Sequence, residues 1–216
     1  MRSRNYAENA ALKVVGDRYQ LKKRQRYALN RIVSADADLQ LLQSNIVSKE
    51  EVRNTPIYLD GFNVLILAEV LHSRGLIFEC VDGTYRDIAS VHGSYHPVEE
   101  TTQAIMSIGQ SIVSLHPSKV EWYLDAPVSN SGRLKELILE IASLQKWNWE
   151  VILVPNPDVV LTGLKEGIVV SSDRAILSSC EKWFNFSRYF VNSNSINSQY
   201  VITFEKLGLV RTNFKN

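Results

Sequence analysis

The chain has 216 residues, of which 45% are hydrophobic and 22% charged, and its formal net charge at pH 7 is +1. These values exclude a disordered or collagen-like chain, and the length suffices for one domain with a substantial core. No apolar run approaches the ~20 residues of a membrane span, so we expect no membrane partner.

The first 50 residues have helical patterns and a strong charge asymmetry. Tyr6–Val15 is helical in composition, Gly16-Asp17 interrupts it, and the pattern resumes over Leu21–Val33, with a further short helix at Asp36–Asn45. Residues 1–31 contain nine Lys or Arg and two acids, so this segment carries a net charge of +7 and the remainder about −6. We treat residues 1–50 as a basic helical region that indicates a polyanionic partner.

Two of these cations, Arg24 and Arg26, lie between Tyr19 and Tyr27. Basic residues interleaved with aromatics can follow a phosphate backbone and stack on bases, so RNA is the expected partner. The alternative is a solvated helix whose Lys and Arg stems cover apolar surface.

From Pro56 onward, short apolar runs alternate with longer helical patterns. This alternation predicts right-handed βαβ units and a mainly parallel sheet in a three-layer α/β/α domain over residues 51–216. The predicted strands are Ile57–Leu59, Leu76–Val81, Val120–Leu124, Glu150–Val154 and Gly167–Ser171, with Phe186–Val191 and Tyr200–Phe204 as edge strands. The predicted helices are Asn63–Arg74, Val98–Leu115, Arg133–Lys146 and Arg174–Cys180, and Asp82–His96 is a loop-like insert.

Three of the main strands run into an aspartate: Asp60 in IYLDGFN, Asp125 in VEWYLDAP and Asp173 in IVVSSDRA. Ligands of open parallel sheets bind at the carboxyl ends of the strands, so these side chains should converge on one site. Their repulsion would raise at least one pKa unless a cation neutralised them, and hard oxygen ligands suit Mg²⁺ or Mn²⁺. For each Asp alone, the alternative is a turn or helix-capping residue.

Polar residues near these aspartates are candidates for positioning water or phosphate. Asn63 either caps its helix or orients Asp60 and a bound water. Ser129, Asn130 and Ser131 form either a simple helix-start turn or a phosphate site at a helix N-terminus, and Ser172 has the same two interpretations.

A fourth acid cannot be chosen from the sequence, because five carboxylates compete for that role: Glu69, Asp82, Asp87, Glu99 and Glu100.

The sequence lacks the motifs of several other enzyme classes. There is no G-x-G-x-x-G after a strand, no phosphate-binding G-x-x-x-x-G-K-[ST] and no G-x-S-x-G. Cys80 and Cys180 form no disulfide framework and the first residues have no signal-peptide pattern, so we expect a cytoplasmic protein with reduced thiols.

The strand into Asp60-Gly61-Phe62-Asn63-Val64, the strand into Asp125 and the IVVSSD strand together resemble the PIN-like nuclease superfamily, and the Asp-Gly-x-Asn-Val opening is especially similar to its NYN branch. The combination of VGDRYQLKKRQRYAL, LDGFNVLI, DGTYRDIASVHGSY and LDAPVSNSGRL is similar to domain-of-unknown-function family 434, over most of residues 10–180.

The resemblance implies an α/β/α fold and a Mg²⁺- or Mn²⁺-dependent ribonuclease, in which Asp60, Asp125 and Asp173 match the metal-binding acids. We therefore expect an endoribonuclease. The alternatives are a non-catalytic RNA-binding module on the same fold, or a protein-interaction subunit whose +7 segment contacts an acidic partner.

Overall fold

The computed structural model describes residues 1–4, 6–89, 94–194 and 199–209. The N-terminal region contains a 3-10 turn at Arg2–Arg4 and four helices: α1 (Glu8–Arg18), α2 (Lys23–Ile32), α3 (Asp36–Asn45) and α4 (Lys49–Val52). The strands of the remaining chain are β1 (Pro56–Asp60), β2 (Ile77–Glu79), β3 (Tyr85–Asp87), β4 (Lys119–Asp125), β5 (Trp149–Val154), β6 (Ile168–Val170) and β7 (Val201–Ile202). The helices there are α5 (Gly61–His72), α6 (Thr101–Val113), α7 (Ser131–Leu144), α8 (Pro157–Gly163), α9 (Arg174–Leu177) and α10 (Phe186–Ser193).

Four strands form a parallel sheet in the order β5-β4-β1-β6. β1 lies in the middle and pairs Leu59 with Trp122 of β4 on one side and with Val170 of β6 on the other. This register places the carboxyl ends of β1, β4 and β6 along one edge. The expected α/β fold with a parallel sheet and N-terminal helices is therefore confirmed.

Both faces of this sheet are covered, because successive side chains along each strand point alternately into two apolar cores. Ile57, Leu59, Trp122 and Ile168 pack into the larger core with residues of α5, α6 and α7. Their sequence neighbours Tyr58, Tyr123 and Val169 face the opposite core, which contains Leu42, Leu161, Ile176, Leu177 and Trp183. A strand buried on both faces reads as a continuous apolar run, which is why these strands are visible in the sequence.

A smaller sheet has the order β3-β2-β7, with β3 antiparallel and β7 parallel to β2. The predicted insert therefore contains a strand, since β3 lies within Asp82–His96. Within the insert, residues 90–93 lie outside the described residues.

One helical prediction differs from the structure. Helix α1 runs through Gly16-Asp17 to Arg18, so the predicted interruption lies a few residues later. Arg26 of α2 ties the end of α1 to the turn that follows it, because its Nη2 donates to Asp17 Oδ1 at 2.8 Å and its Nε to Leu21 O at 2.9 Å. The Arg26 guanidinium lies directly over Gly16, where a Cβ would displace it.

The predicted edge strand at Phe186–Val191 is wrong, because these residues lie in α10. Asn185 caps this helix by accepting a hydrogen bond from the Arg188 N–H at 3.1 Å. Phe186 and Phe190 are four residues apart and stack with ring centroids at 5.7 Å, so helical spacing prevails over the β propensity of the aromatic residues. Helices α4 and α8 were likewise not predicted.

None of the described helices has both the length and the apolar character needed to cross a bilayer.

Candidate functional site: an acidic cavity at the sheet edge

The carboxyl ends of the parallel strands deliver the aspartates to one place. Asp60 is the last residue of β1 and Asp125 the last of β4, while Asp173 follows β6 after two serines. The backbone turns sharply after Asp60, and a Cβ on Gly61 would lie 2.8 Å from the Tyr123 carbonyl oxygen. Only glycine therefore lets α5 start this close to β4.

These ends surround a cavity of about 250 Å³, which we call the acidic cavity. It brings together all three predicted acids and two further aspartates, Asp87 and Asp158. Its described lining is Tyr27, Arg31, Asp60, Phe62, Asn63, Ile66, Asp87, Ala89, Asp125, Val128, Asp158 and Asp173.

Asp60 is the buried centre of the cluster. Its side chain occupies the capping position of α5 but makes no capping hydrogen bond, so the capping interpretation does not explain it. Burial raises the pKa of Asp60 to about 7, an effect that the carboxylates of Asp173, Asp158 and Asp125 increase. A carboxyl group this perturbed by burial and like charges is typical of a functional site.

Ser171 connects two of the acids. Its hydroxyl donates to Asp60 Oδ2 at 2.7 Å and accepts a hydrogen bond from the Asp173 backbone N–H at 2.9 Å. The hydrogen bond from Ser171 to Asp60 opposes the rise in the Asp60 pKa, because it stabilises the ionised carboxylate. Asp173 itself is exposed and caps α9 by accepting from the Ala175 N–H at 2.7 Å.

Asn63 fixes the loop after β6. Its Oδ1 accepts hydrogen bonds from both the backbone N–H and the hydroxyl of Ser172, each at 2.8 Å. The amide oxygen is thereby occupied, while the side chain still lines the acidic cavity. Asn63 therefore joins the first turn of α5 to the strand-end segment that carries Asp173.

Asp125 and Asp158 form the other side of the cavity. Partial burial raises the pKa of Asp125, and the carboxylate of Asp158 adds to the effect. The pKa of Asp158 is raised in the same way by partial burial and by Asp173. Asp158 belongs to the first turn of α8. The side-chain oxygen of the N-cap residue Asn156 accepts a hydrogen bond from the Asp158 backbone N–H at 2.9 Å.

Asp87, at the end of β3, is the fifth carboxylate. It is 5% exposed, and burial raises its pKa despite the nearby Arg31. Arg31 Nη2 lies 4.0 Å from Asp87 Oδ2, and neither Arg31 Nε nor Asp87 Oδ1 has a hydrogen-bond partner among the described residues. Buried polar atoms without partners are rare and call for an explanation.

The other candidate fourth acids do not line the acidic cavity. Asp82 is fully buried and paired with Arg86 at 2.5 Å, and Glu69 accepts hydrogen bonds from Tyr95 and Thr101, each at 2.5 Å. Glu99 and Glu100 lie just before α6.

The predicted phosphate site at Ser129–Ser131 lies near the acidic cavity, but the polar groups of Asn130 and Ser131 are bound to neighbouring backbone carbonyls. Asn130 adopts a left-handed conformation at φ +65° and its Nδ2 donates to the Tyr95 carbonyl at 2.6 Å. The buried Ser131 hydroxyl faces the Ala126 carbonyl at 3.4 Å, and Ser129 is exposed. Of the predicted basic contacts, Arg24 is exposed and Arg26 is engaged with Asp17, and neither lines the cavity.

The donor set fits a hard divalent cation in chemistry, since the cavity offers several carboxylates and their mutual repulsion favours a positive charge. In the present side-chain arrangement, however, no three His, Cys, Asp or Glu side chains of the described residues converge on one point. Binding of a cation would therefore require side-chain rotation, for which the exposed Asp173 and the rim residue Asp158 have room.

Some cavity residues were not chosen as candidates from the sequence: Tyr27, Arg31, Asp158 and Ser171. Asp158 and Ser171 have a visible signal, because each lies within four residues of the end of a parallel strand. Tyr27 and Arg31 have none beyond their basic and aromatic character, since only tertiary packing brings α2 to the sheet edge.

Comparison with known proteins divides the chain in two. The model described as "Domain of unknown function (DUF5616)" matches residues 49–189, and the model described as "Protein of unknown function (DUF434)" matches residues 1–44. The resemblance to family 434 is thus shown for the N-terminal segment, whereas the strand-end aspartates lie in the DUF5616 part.

An uncharacterised protein of Methanocaldococcus jannaschii, MJ0935, is 35% identical over 177 residues, which are 82% of this chain and 84% of that protein. No solved structure matches the chain. From the extent of these matches, the chain belongs to the DUF5616 family and carries a DUF434 segment at its N-terminal end.

Proposed function

We propose that the protein is a metal-dependent endoribonuclease that hydrolyses RNA phosphodiester bonds at the acidic cavity. The observation that carries the proposal is the meeting of Asp60, Asp125, Asp158 and Asp173 around one cavity, with the pKa of Asp60 raised to about 7. Several carboxylates that repel one another at the carboxyl ends of a parallel sheet are suited to holding a divalent cation.

We further propose that the domain is PIN-like. The parallel order β5-β4-β1-β6, the helices on both faces and the acids at the ends of β1, β4 and β6 support this relationship. The Asp60-Gly61-x-Asn63 opening supports it independently, because Gly61 and Asn63 both shape the segment that carries the buried acid.

Asp60, Asp125 and Asp173 would hold Mg²⁺ or Mn²⁺, with Asp158 and Asp87 as the nearest additional carboxylates. A divalent cation supplies water activation and charge neutralisation at the phosphate. Ser171 keeps Asp60 oriented and favours its ionised form, and the Asn63–Ser172 contact holds the segment carrying Asp173 in register with α5. The basic region over residues 1–31 would attract the RNA backbone, and we propose that the RNA substrate is cytoplasmic.

The test is cleavage of a labelled oligoribonucleotide by the purified protein with Mn²⁺, with Mg²⁺ and with EDTA. We expect metal-dependent cleavage that Asp60→Asn abolishes. The matched control is Asp36→Asn, an equivalent change at an exposed residue of α3 outside the cavity. If wild type and Asp60→Asn cleave equally, the activity is a contaminant and the nuclease proposal is refuted.

A second candidate is a non-catalytic RNA-binding module. Two observations favour it: no three acids converge among the described residues, and Asp173 is engaged as a helix cap. This candidate predicts salt-sensitive RNA binding that survives Asp125→Asn, with no cleavage in any metal. A protein-interaction subunit would instead show no RNA affinity even at low salt.

A further inference from the structure

A second cavity of about 460 Å³ adjoins the acidic cavity and shares Tyr27, Arg31 and Asp173 with it. We call it the arginine cavity, because Arg31, Arg86 and Arg174 all line it. The two cavities thus place cations directly beside a cluster of carboxylates. This juxtaposition is what a phosphodiester needs when its phosphate must meet both a metal site and a cationic group.

Two of the three arginines hold the N-terminal region through their side-chain hydrogen bonds. Arg86 donates to Ser172 O at 2.6 Å and to Arg31 O at 2.8 Å in addition to its pair with Asp82. Arg174 donates to Val33 O at 2.7 Å and to Glu8 Oε2 at 2.9 Å.

These contacts fix the end of α2. The last carbonyl groups of a helix lack partners within it. Here the carbonyls of residues 31, 32 and 33 accept hydrogen bonds from Arg86, the Val81 N–H and Arg174, in that order. The backbone of residue 31 is therefore anchored to the α/β domain by groups that do not involve its own side chain.

Within the described part of the chain, Arg31 is the one of the three arginines whose guanidinium has no carboxylate or carbonyl oxygen within hydrogen-bond distance. Nη1 is 3.2 Å from the Tyr27 hydroxyl, Nη2 is 4.0 Å from Asp87 and Nε has no partner. Asp87 lines the acidic cavity, is only 5% exposed and has one buried oxygen, Oδ1, without a partner among the described residues. A guanidinium that lies at the boundary of the two cavities, and is held by one tyrosine hydroxyl without a close carboxylate, is suited to an anionic ligand.

We propose that Arg31 binds a phosphate of the RNA strand beside the strand-end carboxylates, so that the N-terminal segment completes the active site rather than only attracting RNA. Tyr27 orients the guanidinium, and Asp87 balances its charge. The proposal rests on the proposed ribonuclease function but has its own readout. It assigns the RNA-binding role within α2 to Arg31 rather than to Arg24 or Arg26, which lie outside the acidic cavity.

The binding test uses fluorescence anisotropy with a single-stranded oligoribonucleotide in EDTA, over a range of salt concentrations. Log affinity falls linearly with log salt concentration, and removal of one phosphate contact reduces the magnitude of this slope by about 0.7 for a single strand. We expect this loss in Arg31→Ala and a retained slope in Arg31→Lys. The charge-matched control is Lys135→Ala on α7, outside both cavities.

The cleavage test measures single-turnover rates with Mn²⁺ for the same variants. We expect a loss of about 100-fold in Arg31→Ala, the size typical for one preorganised transition-state donor, and an intermediate rate in Arg31→Lys. Thermal melting checks the fold, which the backbone anchors of residue 31 should preserve. If Arg31→Ala does not fold, Arg31→Gln replaces it.

Equal slopes and rates in Arg31→Ala and Lys135→Ala would overturn the proposal. If the wild type binds RNA but does not cleave it, the nuclease function fails and the salt slope alone decides the role of Arg31. A reduced slope would then support the contact, and an unchanged slope would refute it.

Discussion

The Ser171 hydroxyl lies 2.7 Å from Asp60 Oδ2 and is the described hydrogen-bond donor to a carboxyl group that is only 8% exposed. Because the same hydroxyl accepts from the Asp173 N–H, the segment after β6 and the end of β1 are held together across the sheet edge. The protonation of Asp60 is therefore linked both to the stability of the fold and to the proposed chemistry.

Stability should depend on pH through Asp60. Its folded pKa of about 7 is above the unfolded value of about 4, so the folded state binds the proton more tightly. Between pH 4 and 7 this group therefore makes the free energy of unfolding fall as pH rises, and above pH 7 its effect is constant. Asp60→Asn removes the effect, so its stability relative to wild type should rise by up to about 4 kcal/mol from pH 4 to 8. Urea unfolding at several pH values measures this difference, and parallel curves for the two proteins would contradict the assigned pKa.

Ser171→Ala should move the pH dependence of cleavage. Loss of the hydroxyl removes a hydrogen bond to the ionised Asp60, so the pKa rises further. A hydrogen bond to a charged group contributes about 1.5 kcal/mol, which corresponds to about one pH unit. The acidic limb of the pH–rate profile should shift to higher pH by this amount, while Ser171→Thr should retain the wild-type profile. An unchanged limb in Ser171→Ala would show that Asp60 ionisation does not limit the reaction.

The choice of the additional acid can be tested by paired variants. Asp158 and Asp87 line the acidic cavity, whereas Glu69 is buried elsewhere with Tyr95 and Thr101. Asp158→Asn and Asp87→Asn should weaken Mn²⁺ binding by about tenfold or more, as loss of one charged or outer ligand does. Glu69→Gln should leave it within about twofold. Mn²⁺ titration followed by electron paramagnetic resonance measures the affinities, and a larger loss in Glu69→Gln would reverse the assignment.

The parallel sheet and its acidic edge are predictable from the sequence for a physical reason. Strands buried on both faces are continuous apolar runs, and parallel strands place their carboxyl ends together, so Asp60, Asp125 and Asp173 can be grouped without coordinates. The same reasoning extends to Asp158, which lies in the first turn of the helix after β5.

The remaining residues depend on contacts between distant segments. Asp87 reaches the cavity from the smaller sheet, and Arg31 from a helix that is anchored by the carbonyls of its last turn. Asn130 shows the opposite case, because its position after a strand-end acid suggested a phosphate site but its amide is bound to Tyr95. The Phe186–Val191 segment has strand propensity, but the Asn185 cap and the stacking of Phe186 on Phe190 favour a helix.

The buried pair Arg86–Asp82 should be a major determinant of how the N-terminal region is held. Arg86 is 4% exposed and connects Asp82, the Ser172 carbonyl and the Arg31 carbonyl. Arg86→Ala leaves a buried carboxylate without its cation, which costs about 3–5 kcal/mol. Asp82→Asn in the Arg86→Ala background should recover part of this loss, because the uncompensated charge is then removed. Urea denaturation measures both variants, and limited proteolysis should show earlier cleavage within residues 1–44 of Arg86→Ala. A loss below 1 kcal/mol for Arg86→Ala would mean that the pair does not anchor α2.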